Sequence, residues 1–182
     1  MSVHASSRLR FVSVGQDDPL AQPLLAELAV EYAGRYGGTE ERVMRWLRSV
    51  PPDAFAAPSG GLLIGLLGDQ PVTGGGFCRF DDDTAELKRI WTDSRFRRQG
   101  HARALLAALE AEIAARGYRR VYLMTGDRQP EAEALYSATG YTRLEEPLPA
   151  DGEVFPVAFA KALDGHTVAD RRAESEDTEV GM

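Results

Sequence analysis

Apolar and polar residues alternate along this chain in patterns that change several times between the period of a strand and that of a helix. Period-two alternation and short apolar runs predict strands at residues 8–14, 61–67, 72–80, 86–92 and 119–125. Helical spacing of apolar residues predicts helices at residues 20–36, 39–50, 101–116 and 130–139. Two final strands are predicted at residues 141–145 and 155–163. The chain is therefore expected to mix strands and helices throughout.

Two connections indicate how the strands pair. Gly68, Asp69 and Gln70 are turn-forming residues between two predicted strands and indicate a hairpin. The strand at 86–92, the helix after it and the strand at 119–125 form a crossover, which predicts parallel pairing. The interpretation is an α/β (α+β) domain with a mixed sheet.

Three consecutive glycines, Gly74, Gly75 and Gly76, lie inside the strand predicted at 72–80. Glycine in a strand interior is typical of a bulge or of a place where a ligand approaches the backbone closely. Flexible padding explains the same residues equally well. Three aspartates follow at residues 81–83, and we interpret them as an acidic rim that attracts cationic substrates rather than as a metal site.

A basic loop that contains one glycine precedes the helix predicted at 101–116. It consists of Arg97, Arg98, Gln99, Gly100, His101 and Ala102, and Arg103 follows it. The first turn of a helix has unbonded N–H groups and the positive end of the helix dipole, which together attract phosphate. Gly100 would let an anion approach the backbone, and the arginines add charge. An ordinary basic helix start is the alternative, since neither the Walker pattern nor the three-glycine dinucleotide pattern is present.

Composition narrows the class of protein. The chain has 182 residues, 43% of them hydrophobic and 27% charged, as expected for one globular domain with a sizeable core. Its net charge of -7 argues against nucleic-acid binding and, beside a locally basic loop, indicates a small anionic ligand. Cys78 is the one cysteine, which excludes an internal disulfide, and the three histidines are too scattered for a metal site. We see no leader and no apolar run that could span a bilayer, so the expected location is the cytoplasm, without a membrane partner.

The two ends of the chain differ from its middle. Residues 1–7 are mostly small and are expected to form a flexible terminus. Residues 8–164 contain all the predicted strands and helices and form the expected domain. Residues 165–182 are polar, acidic and nearly free of large apolar side chains, so we expect a disordered tail there.

A succession of motifs between residues 86 and 144 resembles the GNAT superfamily of acetyl-CoA-dependent N-acetyltransferases. It consists of a strand, the Arg-x-x-Gly-x-Ala loop, a helix, a second strand, and then residues 129–136 (Gln-Pro-Glu-Ala-Glu-Ala-Leu-Tyr) followed by Gly140 and Tyr141. The loop alone is a weak signal, but the loop together with the Ala-Leu-Tyr-x-x-x-Gly-Tyr element is a strong one. The resemblance is compatible with the whole span of residues 8–163.

The resemblance implies a mixed, mostly antiparallel central sheet in which one parallel pair of strands splays apart, flanked by helices. It also implies that acetyl-CoA binds as co-substrate, with its diphosphate in the loop and its pantetheine arm along the backbone of the central strand. The cofactor-binding residues carried over are Ile90, Trp91, Thr92, Arg97, Arg98, Gln99, Gly100, His101, Ala102, Arg103, Gln129 and Tyr136. Gln129 stands where many family members have Asn, so its contact is expected through a longer amide side chain.

Tyr136 and Glu86 are the catalytic residues that the resemblance implies. Tyr136 takes the position of the family's general acid, and a phenol that stays protonated at neutral pH can donate to a departing thiolate. Packing of its helix against the sheet is the alternative role. Glu86 stands where many members have an acid and would act as a base through water, with an ion pair to Lys88 or Arg79 as the alternative. A backbone N–H of the central strand would meet the oxyanion.

The expected function is transfer of acetyl from acetyl-CoA directly to an amine of a small molecule, protein or peptide. Two rival hypotheses stay open: a catalytically silent module that binds acyl-CoA as a sensor or partner, and an acyltransferase for a longer acyl group, which needs a wider channel near residues 74–76. Acceptor specificity is expected at residues 31–46, where Tyr32, Tyr36 and Trp46 would stack on the substrate or pack in the core. A monomer or a homodimer is expected.

Overall fold

The computed structural model describes residues 8–163, and the predictions for residues 1–7 and 165–182 lie outside this range. Within it the strands are β1 Arg10–Ser13, β2 Gly61–Leu67, β3 Gln70–Arg79, β4 Thr84–Thr92, β5 Arg120–Thr125, β6 Thr142–Arg143 and β7 Val157–Ala162. The α-helices are α1 Gln22–Tyr36, α2 Glu40–Arg48, α3 His101–Ala115 and α4 Pro130–Ala138. A short 3-10 helix at Pro19–Ala21 overlaps the start of the helix predicted at 20–36, whereas those at Pro52–Phe55 and Ser94–Phe96 have no counterpart in the sequence prediction.

The seven strands of the described range form a mixed sheet in the order β1-β2-β3-β4-β5-β7-β6. Every neighbouring pair is antiparallel except β4 and β5, which are parallel. The hairpin of β2 and β3 follows from a tight turn, whereas the parallel pair follows from the crossover through α3. The predicted mixed sheet, mostly antiparallel with one parallel pair, is confirmed.

The parallel pair separates soon after it forms. Its register covers three residue pairs, from Thr84 with Arg120 to Glu86 with Tyr122. Beyond Glu86, β4 continues beside β3 as far as Thr92, while β5 pairs with β7 along its whole length. The second half of β4 therefore presents a backbone edge to a gap inside the sheet, as the splayed pair predicts.

A bulge interrupts β4 opposite the glycine run. Gly74 faces Trp91 and Gly76 faces Lys88, so two steps along β3 oppose three steps along β4. Arg89 is the residue that takes up the difference, with a φ of 62° in the left-handed region. The bulge that the glycines predict is thus confirmed, although the extra residue belongs to the neighbouring strand.

Close packing explains why these positions are glycine. A Cβ added to Gly74 or Gly76 would lie 2.7 Å from Ile64 Cδ1 or 2.8 Å from Phe55 Cδ1, respectively. On Gly75 it would lie 2.6 Å from Ile90 Cδ1. Side chains already fill both faces of the sheet here, which argues against padding and against a ligand at the glycines.

Helices cover the two faces of the sheet and create two apolar clusters. On one face α3 buries Leu105, Leu106, Leu109 and Ile113, as predicted. Ile90 of β4 packs against this cluster. On the other face α1 and α2 pack around Trp91 of β4. No helix among the described residues has both the length and the apolar character needed to cross a bilayer.

Local signals set several element ends, and one prediction needs correction. The Thr39 side chain caps α2 by accepting a hydrogen bond from the Arg42 N–H at 3.2 Å. For Trp46 the sequence left stacking on the substrate or packing in the core open, and its exposure of 42% argues against the core. The strand expected at 141–145 is reduced to the two residues of β6, and one further hydrogen bond joins the Leu144 N–H to the Ala158 carbonyl oxygen at 2.9 Å.

Candidate active site

A cavity of about 1340 Å³ lies where β4 and β5 separate. Its walls are the second half of β4, the loop before α3, the first part of α4, and the facing ends of α1 and α2. The predicted site residues that line it are Glu86, Ile90, Trp91, Thr92, Arg97, Arg98, Gly100, His101, Ala102, Arg103, Gln129 and Tyr136. Gln99 is exposed and does not line the cavity, so a direct contact through its side chain is not supported.

The loop before α3 presents backbone N–H groups to this cavity. Gly100 precedes the helix with a φ of 82°, and Arg98 also has a positive φ of 61°. The N–H groups of the first helical turn, at His101, Ala102 and Arg103, have no partner inside the helix. Together with the positive end of the α3 dipole, they form a cradle suited to phosphate oxygens.

Two further observations fit an anionic ligand at the loop. The Nε2 atom of His101 is buried and has no hydrogen-bond partner among the described residues. The side chains of Arg97 and Arg98 are exposed at the rim, where they can pair with phosphate. A Cβ on Gly100 would meet no protein atom within 4 Å, so the protein itself needs glycine here for the positive φ rather than for space.

Trp91 and Thr92 can contribute to the cavity mainly through the backbone. The Trp91 indole is buried against α1, where its N–H donates to Glu27 Oε2 at 2.8 Å. The Thr92 hydroxyl lies 3.1 Å from the Thr73 hydroxyl. The side chain of Ile90 packs on the opposite face of the sheet. The backbone edge beside the gap is therefore the part that a ligand can extend by strand addition.

Glu86 is a buried carboxyl in the wall of the cavity, 7% exposed. Burial raises the pKa of Glu86, and Lys88, whose Nζ is 3.5 Å away, partly opposes this shift. Arg79, the other partner considered for Glu86, pairs with Asp82 instead. A desolvated carboxylate with a raised pKa binds a proton more readily than an exposed one, as a general base requires.

Tyr136 lies in the part of α4 that faces the cavity and is 5% exposed. Its ring packs against Tyr141 and Phe159, with centroids 5.7 Å and 5.6 Å away. Burial, with a smaller contribution from Tyr32, raises the pKa of Tyr136 above its usual value. The phenol is thus protonated at neutral pH, and the ring serves packing while the residue also lines the cavity.

Hydrogen bonds join the end of α1 to residues 128–131, which include the first turn of α4. Arg35 Nη1 donates to the carbonyl oxygen of Arg128 at 2.6 Å, and Arg128 Nη1 donates to that of Arg35 at 2.9 Å. Arg35 also forms an ion pair with Glu131. Gln129 Nε2 donates to the Tyr36 hydroxyl at 3.2 Å. In this structure the Gln129 amide therefore holds α1.

Four rings and a loop form the side of the cavity away from α3. The rings of Tyr36, Tyr32, Trp46 and Phe155 follow one another at centroid distances of 6.3, 6.2 and 6.2 Å. Tyr36 and Trp46 are 41% and 42% exposed, so these two aromatic residues are not core. Phe155 belongs to a segment that contributes residues 150–153 and 155 to the lining, which we call the rim loop.

The Cys78 thiol and the three aspartates at residues 81–83 have no evident part in the chemistry of this site. Burial raises the pKa of the Cys78 thiol to about 11, so it is protonated at neutral pH and is not prepared to act as a nucleophile. The aspartates at 81–83 do not line the cavity, which leaves the acidic rim hypothesis unsupported. Among the described residues no group of three His, Cys, Asp or Glu is placed to hold a metal ion.

A comparison with known protein families identifies the family to which this chain belongs. Residues 23–141 match the family described as the acetyltransferase (GNAT) family. This match covers more than half of the chain, and the protein therefore belongs to the GNAT family. The resemblance found in the loop and in the α4 motif is confirmed.

Individual relatives support the same assignment. Human N-acetyltransferase 8 is 32% identical over 119 residues, which are 63% of this chain and 46% of that protein, so the match spans less than half of the relative's length. Two solved structures share the fold at low identity. The PaiA N-acetyltransferase of Thermoplasma acidophilum in complex with coenzyme A has a TM-score of 0.66 at 14% identity, over 86% of this chain and 99% of that one. A GNAT family acetyltransferase of Elizabethkingia anophelis with acetyl-CoA bound has a TM-score of 0.60 at 18% identity, over 85% and 98%.

Several cavity residues were not singled out from the sequence. Arg89 lines the cavity and is buried, but simple alternation along β4 would place it on the face opposite Glu86. The run of glycines in the neighbouring strand was the available signal, because it predicts a bulge. The rim loop gave no signal, since it has neither a motif nor a periodic pattern.

Proposed function

We propose that this protein transfers the acetyl group of acetyl-CoA directly to an amine. The observation that carries the proposal is the meeting of three features in one cavity: the phosphate cradle before α3, the buried carboxyl of Glu86 and the buried phenol of Tyr136. Membership of the GNAT family and the coenzyme A or acetyl-CoA named with two proteins of similar fold support the same donor.

The residues of the cavity fit acetyl-CoA. The diphosphate would lie against the N–H groups of the first turn of α3, beside Arg97 and Arg98. The pantetheine arm would pair with the backbone edge of β4 at residues 90–92. When bound, acetyl-CoA supplies an acetyl group as a thioester and leaves as coenzyme A.

Two side chains would move the protons that the transfer requires. Glu86 would accept a proton from the ammonium group of the acceptor, directly or through water, so that the nitrogen lone pair becomes available. Tyr136 would donate its proton to the sulfur as the C–S bond breaks and the C–N bond forms. An N–H on the edge of β4 would stabilise the charge that develops on the carbonyl oxygen.

An acetyl donor suits the packing better than a longer acyl group. The channel that a longer chain needs was expected near residues 74–76, where Ile64, Ile90 and Phe55 occupy the space. Acetyl-CoA is therefore the donor that we propose. A comparison of acetyl-CoA with longer acyl-CoA donors in the thiol-release assay below tests this choice.

The first test of the proposed function measures binding and turnover on one sample. We expect acetyl-CoA to bind in calorimetry, and we expect coenzyme A thiol to be released when a panel of amines is added. Tight binding without turnover for any amine would favour the silent binding module. No binding at all would contradict both the function and the assignment of the loop.

We expect Glu86→Gln to lower kcat/KM about 10²-fold, because general bases contribute at least that much. The raised pKa of Glu86 places the acid limb of the wild-type pH profile above 4.5, the ordinary value for Glu. Below that limb the carboxyl is protonated and cannot accept a proton, so activity rises with pH as it ionises.

The neighbouring thiol of Cys78 does not create this limb. Burial raises the pKa of Cys78 to about 11, so it stays protonated through the acidic range. Glu112→Gln, which removes a half-exposed carboxylate on α3, is the control and should leave the pH profile unchanged. An unaltered profile in Glu86→Gln would mean that Glu86 serves only its ion pair with Lys88.

A further inference from the structure

Arg89 places a buried positive charge in the wall of the cavity. The residue is 8% exposed and lines the cavity, at the position where β4 bulges. Because the bulge shifts the alternation of side chains, Arg89 lies on the α1 and α2 side of the sheet, together with Glu86. One strand therefore offers a buried carboxyl and a buried guanidinium to the same side of the cavity.

The side chains and carbonyl group that contact Arg89 are all uncharged, so none of them neutralises its positive charge. Nη1 donates to Gln16 Oε1 at 2.6 Å, Nη2 donates to the carbonyl oxygen of Leu47, and the guanidinium lies 4.7 Å from the centre of the Phe55 ring. No carboxylate of the described residues forms an ion pair with it. Burial lowers the pKa of Arg89 to about 10, so it remains cationic at neutral pH.

Neutral oxygens hold this guanidinium in place but do not neutralise it. A guanidinium has five N–H groups, and the two hydrogen bonds to Gln16 and Leu47 use two of them. The planar group that best matches the remaining donors is a carboxylate, which can accept two of them at once. A buried charge without a counter-charge is costly, and an anionic ligand would remove that cost.

The acidic residues of the cavity do not supply this counter-charge. Glu31 and Glu131 form ion pairs with Arg35, and Glu86 lies beside Lys88. The acidic side chains of the rim loop are exposed, where solvent and salt screen them. On the α1 and α2 side of the cavity, where we place the acceptor, Arg89 is therefore, among the described residues, the buried charged group that has no counter-charge.

We propose that Arg89 binds a carboxylate of the acceptor, and that the acceptor is a small α-amino acid or a similar molecule with an amine and a carboxylate. This inference rests on the proposed acetyl transfer. Arg89 receives the carboxylate of such a molecule, and the proton of its ammonium group passes to Glu86 through water. The buried guanidinium thus fixes the orientation of the amine.

The aromatic rings in the cavity wall indicate which substituent the acceptor carries in addition to its amine and its carboxylate. The rings of Tyr32, Tyr36, Trp46 and Phe155 form a continuous row along the acceptor side. Rings that stay partly exposed at the wall of a cavity favour an apolar or aromatic substituent. Phenylalanine is therefore the probe that we choose, and phenylalaninamide is its matched partner without the negative charge.

The test compares the two probes on the full chain with acetyl-CoA as donor. We expect kcat/KM to be about tenfold or more higher for phenylalanine than for phenylalaninamide, the range that a charge-assisted hydrogen bond supplies. Arg89→Gln should lower this ratio about tenfold, and Arg89→Lys should retain part of it. Because both amines are measured on the same sample, any loss of folded protein cancels from the ratio.

A matched variant and a binding experiment complete the test. Arg45→Gln removes an exposed cation from α2 outside the cavity lining, and it should leave the ratio unchanged. Calorimetry with N-acetylphenylalanine and its amide, on protein loaded with coenzyme A, gives the same comparison without turnover. The acetylated acid should bind more tightly, and only in proteins that keep Arg89.

Two outcomes would overturn the inference. One is equal use, or equal binding, of the acid and the amide by the wild-type protein. The other is a preference for the acid that Arg89→Gln leaves intact. In either case acetyl-CoA binding and turnover of the amide would leave the acetyltransferase function standing, whereas failure to bind acetyl-CoA would reject that function itself.

Discussion

We expect Gly100→Glu to weaken acetyl-CoA binding about 10²-fold or more, since a carboxylate a few Å from a diphosphate costs several kcal/mol at the edge of a protein. The substitution places negative charge in the cradle formed by the first N–H groups of α3. It also forces a residue with a Cβ to adopt a φ of 82°, which costs about 1–2 kcal/mol. Calorimetric titration with acetyl-CoA measures the result directly.

The strain and the charge can be separated, because the chain contains a second glycine of the same kind. Gly117 follows α3 with a φ of 93°, and a Cβ there would also meet no atom within 4 Å. Gly117→Glu should therefore cost a similar amount of stability but leave acetyl-CoA affinity intact. An unchanged affinity in Gly100→Glu would show that the loop does not hold the diphosphate.

We expect Tyr136→Phe to lower kcat about 10²-fold, the contribution of a positioned general acid, while acetyl-CoA affinity stays close to that of the wild type. Phenylalanine keeps the ring contacts with Tyr141 and Phe159, so the packing of α4 should be preserved. Only the proton donor is lost. Steady-state kinetics together with calorimetry separate the effect on turnover from the effect on binding.

Tyr118 supplies the control for loss of a phenol hydroxyl. Its hydroxyl donates to the carbonyl oxygen of Ser59 at 2.6 Å, and the residue does not line the cavity. Tyr118→Phe should lower the melting temperature slightly and leave kcat unchanged. Full activity in Tyr136→Phe would leave Tyr136 with a packing role and no part in proton transfer.

Local patterns predicted the parts of this protein that are themselves local. The helical spacing of Leu105, Leu106, Leu109 and Ile113 reports which face of α3 is buried, and burial depends mainly on that spacing. The strand–helix–strand crossover between β4 and β5 favours parallel pairing, which these two strands show. The residues of the loop before α3 converge on the cavity because a helix start and its glycine determine the backbone there.

Features that depend on contacts between residues far apart in the chain could not be predicted from the sequence. Gln129 was assigned to the donor from its motif position, yet its amide contacts Tyr36, which lies 93 residues away. Trp46 has the spacing of a core residue, but the rings of Tyr32 and Phe155 keep it at the wall of the cavity. The contacts of Arg89 also come from three separate segments of the chain, at Gln16, Leu47 and Phe55.

The bulge in β4 changes the face of the sheet from which the later side chains of that strand project. In a regular strand, residues an odd number of positions apart project from opposite faces. Glu86 and Trp91 are five positions apart and still share a face, because one extra residue lies between them. A strand without the bulge could turn either the Glu86 carboxyl or the Trp91 indole toward α1, but not both. The offset of one residue thus lets a single strand anchor a helix at one end and place the buried carboxyl of Glu86 in the cavity wall at the other.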